Sequence, residues 1–308
     1  MWGRIVLTVL LALTPILVLA KSTMIVIPAG SFWMGSSLDE LKAQHEDGEK
    51  NDAFLNQVPL HQRHVDVFEI DQYEVSNRDY KNYIDSHHAS LPTYWIDNGY
   101  ALSLKSQALF QLTIEDLRQI AAEVIRLDVD TRQLDRAELQ KQINNYWREL
   151  DELPVVTVTW YEANTYCKAL NKRLPSEAEW EKAARGPQAN LFPWGNQWQP
   201  GYANVQNETW LYGVAPIGRH FKDRSFYGVM DMGGNAFEWV EDWYQPYPNN
   251  SNADARYGQR YKVVRGWGNG GSGHYDKIIY QRSSHRLLLL PGEKRQAQGF
   301  RCARSITQ

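Results

Sequence analysis

A chain of 308 residues with a net charge of −3 is long enough to bury a sizeable core, as one large domain or two ordinary ones. That charge leaves no basic footprint of the kind nucleic acids require. Twelve tryptophans and seventeen tyrosines are many for this length, and loops so rich in aromatics are often pinned by them rather than by regular structure.

The first twenty residues read as an export signal: Arg4 gives the positive start, Ile5 to Leu19 the apolar run, and Val18 and Ala20 the small-residue cleavage pattern. The mature chain is expected to begin at Lys21, in a periplasm or outside the cell. Retention of the run as a membrane anchor is the alternative. Export makes Cys167 and Cys302 a candidate disulfide rather than a metal or redox pair. The bridge would tie the middle of the chain to its last strand and add about 3 to 5 kcal/mol.

Apolar alternation over residues 24–36, punctuated by Pro28-Ala29-Gly30, predicts a hairpin of two short strands. Residues 37–57 are polar and read as a surface loop. Residues 61–70 alternate again, with Val65, Val67 and Glu69 sharing one strand face. His61 and His64, three apart on a strand, point to opposite faces and do not share a metal. Tyr80, Tyr83 and Ile84 have helical spacing behind an N-cap at Ser76 or Asn77.

Between 101 and 150 two helical stripes stand out, one of Leu117, Ile120, Ala121, Val124 and Ile125, the other of Leu139, Ile143, Tyr146, Trp147 and Leu150. They predict an inserted helical pair packed on the main body, serving as a spacer or as a partner-docking arm. Residues 154–160 read as a strand and 161–170 as a helix carrying Cys167. The next helix is framed by Ser176 and Glu179 in capping-box spacing and by Gly186 as its stop, with Trp180 and Ala184 toward the core.

Regular periodicity fades from Phe192 onward, apart from short segments at 202–205 and 213–217. Loops of this length are usually functional or held by a metal or disulfide. Residues 261–265 predict a strand, 266–273 a glycine-rich loop, and 278–286 and 299–304 closing strands. The densest stretch is 228–243, where Gly233, Gly234 and Ala236 alternate with the oxygen-bearing Asp231, Asn235, Glu238 and Asp242. The Gly-Gly-Asn run suits positive φ, and carbonyls and carboxylates turned to one point describe a calcium site. The same residues equally suit a polar turn over a tryptophan-rich core.

Seven ordered segments carry a family resemblance: Ile27 to Gly35, Tyr73 to Asn77, Pro154 to Trp160, Lys172 to Trp180, Phe192 to Asn196, Gly234 to Trp239 and Gly299 to Arg301. Together they resemble the formylglycine-generating enzyme, or sulfatase-modifying factor, family across residues 24–304. The resemblance implies an α+β, C-type-lectin-like domain over 21–308 with little regular structure, interrupted by the helical insertion at about 101–150. It implies a calcium site at Asp231, Gly234, Ala236 and Glu238, the glycine and alanine contributing carbonyls. A second is implied at Asn204 and Val205, with Glu208 in place of a shortened acidic loop, and a Cys167–Cys302 disulfide is implied as well.

Catalysis is where the pattern departs. The family oxidises a substrate cysteine with copper held by a cysteine pair, in the segment corresponding to Gly266 to Arg286. This chain has no cysteine there, and Cu(I) selection needs a soft thiolate. Copper and formylglycine formation are therefore not expected. Nor does the chain carry the His-x3-His-x-Glu iron motif of the sulfoxide synthases that share the fold.

Two functions compete. The first is a calcium-stabilised module binding a protein or peptide in a groove that includes Trp267, Asn269, Ser272, His274, Tyr275 and Arg286. The second is an exported enzyme that oxidises or tautomerises a secreted peptide or metabolite, as in pyoverdine maturation. There His274 or His285 would be the base, with Asp276 or Glu238 as orienter or acid. An external metal at His220, His274 or His285 is a third possibility. No nucleic-acid partner is expected, and a membrane only through a retained leader.

Overall fold

The computed structural model describes residues 23–42, 52–205, 213–268 and 278–306. The export leader, Glu208 and the 269–277 segment holding Asn269, Ser272, His274, Tyr275 and Asp276 lie outside the described residues. Strands β1 (Met24–Ile27) and β2 (Gly30–Met34) do not form the expected hairpin. β1 pairs antiparallel with β4 (Phe68–Asp71), and β2 with β3 (His61–Val65). The Pro28-Ala29 step is a corner between two sheets, a distinction that alternation cannot register because both arrangements bury the same face.

The expected strand at 61–70 likewise breaks at Asp66-Val67. Val65 ends β3 buried, while Phe68 and Ile70 of β4 turn inward and Glu69 is only half-buried. β4 is the centre of a three-stranded sheet, flanked by β1 and by β9 (Ala303–Ser305). A four-stranded sheet runs in the order β7 (Arg286–Leu289), β6 (Lys262–Arg265), β5 (Phe237–Trp243), β8 (Gln298–Gly299), its last pair parallel. The segments 278–286 and 299–304 are thus split. A 3₁₀ turn covers Ile278–Gln281 before β7, and 299–304 divides between β8 and β9.

Eight α-helices are described. The short α1 (Leu38–Lys42) lies within the polar 37–57 stretch, and α2 (Asn77–His87) starts where the Ser76 side chain accepts the Asp79 N–H. α3 (Thr93–Asp97) lies just before the expected insert, within which α4 (Ser106–Leu109) precedes α5 (Ile114–Gln119) and α6 (Arg136–Asp151). α5 widens into a π turn at Ile120–Val124, closed by Ile125 N–H to the Ile120 carbonyl. The wider turn shifts the stripe: Leu117, Ala121 and Ile125 are buried, and Val124 is exposed. Leu139, Ile143, Trp147 and Leu150 join one hydrophobic cluster with Val155, Trp239 and Phe300, so the insert's apolar faces are used by its own domain.

Residues 154–160 are not a strand. Pro154 makes one isolated bridge to Ser76, Thr157 adopts φ of +60°, and Val155, Val156 and Val158 are buried without a ladder. Helix α7 (Trp160–Ala169) then begins at a Thr159–Glu162 capping box. Helix α8 (Glu177–Arg185) begins at the Ser176–Glu179 box and ends at Gly186 with φ of +67°. Cys167 on α7 is bonded to Cys302, with Cα atoms 5.7 Å apart and a sequence separation of 135. Beside it, the Asp71 carboxylate accepts the Cys302 N–H at 3.0 Å and Lys172 Nζ at 2.6 Å. Replacing both cysteines by alanine is expected to cost about 5 kcal/mol of unfolding free energy, the entropy of a loop of this length. Urea titration of the double variant would measure it.

Candidate functional site

All nine residues of α8 are buried, not only Trp180 and Ala184, so five charged side chains sit in the interior. Partners distant in sequence make this possible. Arg265 on β6 donates to Glu177 Oε1 at 2.9 Å and to Glu181 Oε2 at 2.7 Å. Arg185 donates to Glu181 Oε1 at 3.0 Å, and Arg286 to Glu177 Oε2 at 2.9 Å. Gly35 N–H adds a bond to Glu181 at 2.7 Å. Burial works to raise the Glu181 pKa, but Arg265 and Arg185 hold it below the ordinary carboxylate value.

A first candidate surface rests on one side of this network. Trp267 is buried, stacks on Tyr280 at 5.1 Å and meets Phe237 edge-on at 5.4 Å. His285 lies against the Tyr280 and Trp267 rings and is buried. Burial, then the charges of Arg265 and Arg282, push its imidazole down to about 3 against a hydrogen bond that the ring donates to the Gly266 backbone. Such a shift favours the neutral form of the ring and makes it a weak base. Its Nδ1 has no hydrogen-bond partner, so no described carboxylate orients it.

Arg286, expected in a ligand groove, lines a different surface from Trp267. It is buried, stacks on Tyr247 with its guanidinium carbon 4.2 Å from the ring centre, and donates to the Asn56 and Gln245 carbonyls. It forms the floor of a second surface, an open cleft of about 600 Å³. Trp160, Trp243 and Tyr247 supply its aromatic walls, Glu241 and Asp242 its acids, and Arg63 and Lys262 its bases. The Lys262 ammonium lies 4.0 Å from the Trp160 ring centre and 3.9 Å from that of Trp243. This cation–π clamp fixes both indoles. No motif pointed to the cleft, because Trp160 and Trp243 lie over eighty residues apart and meet only through Lys262.

The 228–243 stretch is organised by an arginine. Arg301 donates to both Glu238 oxygens, at 2.7 and 2.6 Å, and to the Met230 carbonyl at 3.0 Å. Trp180 Nε1 adds a bond to Glu238 at 2.9 Å. Asp231 Oδ2 accepts the Gly218 N–H at 2.5 Å, and Ala236 N–H points to the Gly234 carbonyl at 3.0 Å. Of the donors expected for calcium, Asp231, Gly234, Ala236 and Glu238, the last has the Arg301 guanidinium as its counter-cation. Among the described residues no three His, Cys, Asp or Glu side chains gather in a metal-holding group. His61 and His64 bind separately, to the Pro59 carbonyl and to Asp66. In the Asn204–Val205 pair, Asn204 Oδ1 is buried without a partner.

Positive φ falls on Asp231 (+57°) and Asn235 (+70°), not on the glycine pair. Gly233 and Gly234 are required by crowding: an added Cβ would lie 2.6 Å from Trp194 Cζ3 and 2.6 Å from the Asn204 carbonyl oxygen, respectively. Burial pushes Asp231 up to about 6 and Glu74 well above the ordinary value, with mutual repulsion adding to the Glu74 shift.

A family model described as a sulfatase-modifying factor enzyme 1-like domain matches residues 17–306. The chain belongs to that family. It is 28% identical to the inactive C-alpha-formylglycine-generating enzyme 2 of Bos taurus, over 91% of this chain and 87% of that one. To the formylglycine-generating enzyme of Bos taurus it is 31% identical, over 72% of this chain and 58% of the enzyme. Its match to the mouse form of the inactive relative spans about half of that protein, 51%. The structure of PvdO from Pseudomonas aeruginosa superposes with a TM-score of 0.59 at 23% identity, covering 92% of this chain and 94% of PvdO, which shows a shared fold.

Glu181→Gln is expected to lower unfolding free energy by about 3 to 5 kcal/mol, because it leaves Arg265 and Arg185 buried beside a neutral amide. Chemical denaturation would read this directly. A second expectation concerns acid. Burial and Glu177 push Asp242 up to about 6 against its bond from the Glu177 N–H. A carboxyl that titrates higher folded than unfolded takes up its proton first in the folded state, so it contributes stability as pH falls from about 6 to 4 and loses it as pH rises. Between pH 7.5 and 5 the Asp242→Asn variant should therefore gain less, or lose more, in urea midpoint than the wild type.

Proposed function

We propose that this protein is an exported sulfatase-modifying-factor-like module that binds a protein or peptide partner and has no cysteine–copper oxidase centre. The observation that carries the reading is the fate of the sulfur. Both cysteines of the sequence are joined in one buried disulfide, and no free thiol remains. Thiolate capture of copper needs a free sulfur, so the family's oxidation has no starting group. The apolar run at residues 5–19 motivates export.

The partner surface is the cleft of Trp160, Trp243 and Tyr247. Clamped indoles lose little freedom on binding, and tryptophan and tyrosine are the usual energetic centres of protein interfaces. Acids and bases on the same walls suit a peptide with both charges. The enzyme alternative has less support, because His285 is a buried neutral ring beside two arginines. Calcium, in this reading, is assigned to the Asn204–Val205 pair, where the Asn204 Oδ1 is buried without a hydrogen-bond partner.

Native mass spectrometry with elemental analysis of the untagged protein, as recovered with its partner, tests the reading. A bound polypeptide without copper or iron is expected, with stoichiometric calcium that EDTA removes. Trp160→Ala and Trp243→Ala should each weaken the recovered partner's binding about tenfold or more. Stoichiometric copper, or full affinity in both variants, would sink it.

A further inference from the structure

The two most exposed large apolar side chains among the described residues are Phe221, at 71%, and Phe226, at 61%. They project from one loop, Arg219-His-Phe-Lys-Asp-Arg-Ser-Phe226, which also exposes Arg219, Lys222 and Arg224. Its single acid, Asp223, points inward and accepts the Gly233 N–H at 3.0 Å. Among the described residues none of the three cations is in an ion pair; Lys222 instead rests 4.7 Å from the Tyr202 ring centre. Three exposed positive charges beside two solvent-facing phenyl rings contrast with a chain of net charge −3.

The loop is built rather than slack. Asp223 N–H bonds the His220 carbonyl, Ser225 N–H the Val229 carbonyl, and Asp231 N–H the Asp223 carbonyl. The Ser225 hydroxyl accepts the Val229 N–H. None of residues 219–226 lines the aromatic cleft. The loop also adjoins the point where the chain enters the domain: Gln72 bonds Thr23 through its N–H and Met230 through its carbonyl, and its side chain donates to the Gly228 carbonyl. Only three residues separate Thr23 from the apolar run that ends at Leu19.

We propose that the Arg219–Phe226 loop docks this protein on an anionic phospholipid membrane, with Phe221 and Phe226 entering the interface and Arg219, Lys222 and Arg224 contacting headgroup phosphates. Aromatic side chains flanked by bases, with no exposed acid, are complementary to such a surface. A preformed loop gives up little conformational freedom there. An acidic protein would satisfy the cations, but would leave two phenyl rings without a stated apolar counterpart.

The test is sedimentation of the protein, as recovered from expressing cells, with phosphatidylcholine vesicles containing or lacking phosphatidylglycerol. Binding to the anionic vesicles should exceed that to neutral ones by about tenfold and fall with salt. The pair Phe221→Ser/Phe226→Ser and the triple Arg219→Gln/Lys222→Gln/Arg224→Gln should each reduce it about tenfold, with unchanged thermal melting. Because every variant keeps the same N-terminus, binding that is equal in all of them would assign attachment to the leader and overturn the proposal. Retention on polyglutamate without vesicle binding would assign an acidic protein partner instead, and overturn it equally.

Discussion

The fold depends on one buried guanidinium. Arg265 has no exposed surface and spans Glu177 and Glu181, while its flat face lies 5.4 Å from the Trp180 ring centre. Removing charges from water is expensive, and the attraction between them offsets that only when geometry is good and the remaining donors are satisfied. Here Arg185, Arg286, Gly35 and the Ser283 carbonyl add further bonds, and Arg265 Nε is left buried without a partner among the described residues. The residues involved come from the end of β2, from α8, from β6 and from β7. An apolar core of equal volume tolerates small slips between these elements; an ion network does not.

That stiffness reaches both candidate surfaces. Trp180 hands the network on through its indole N–H to Glu238, and Glu238 to Arg301. Arg286 carries it to the floor of the cleft, and Arg265 to the turn below His285 through the Ser283 carbonyl. Loops with few regular hydrogen bonds are thereby fixed by charged side chains beneath them. Tryptophans do the same from the sides: Trp160 bonds the Val240 carbonyl, and Trp239 the Val158 carbonyl.

Local signals in the sequence were legible wherever the physics is local. The Ser176–Glu179 box, the Gly186 stop, the Ser76 cap and the stripe of α6 are each decided within a few residues. What escaped was decided at a distance. The charged side of α8 carries no local sign of burial, because its counter-charges, Arg265 and Arg286, lie 84 to 109 residues further on. The Met24–Met34 segment reads as a hairpin because nothing local says that β4 and β3 claim its two halves. The glycine pair at 233–234 reads as a demand for positive φ, whereas the demand is space beside Trp194 and Asn204. His285 reads as a base because no sequence pattern reveals how dry its surroundings are.

The sheet around β4 has a temporal consequence. One edge of β4 is covered by β1, close by in the chain, and the other by residues 303–305. The adjacent disulfide joins residue 167 to residue 302. Until those last residues emerge, β4 presents an open edge and Cys167 has no mate, so earlier segments cannot settle into the native state during synthesis. High contact order of this kind makes folding slow and late. A chain with that property cannot close this sheet until residues 302–305 are made, whatever has been synthesised before them.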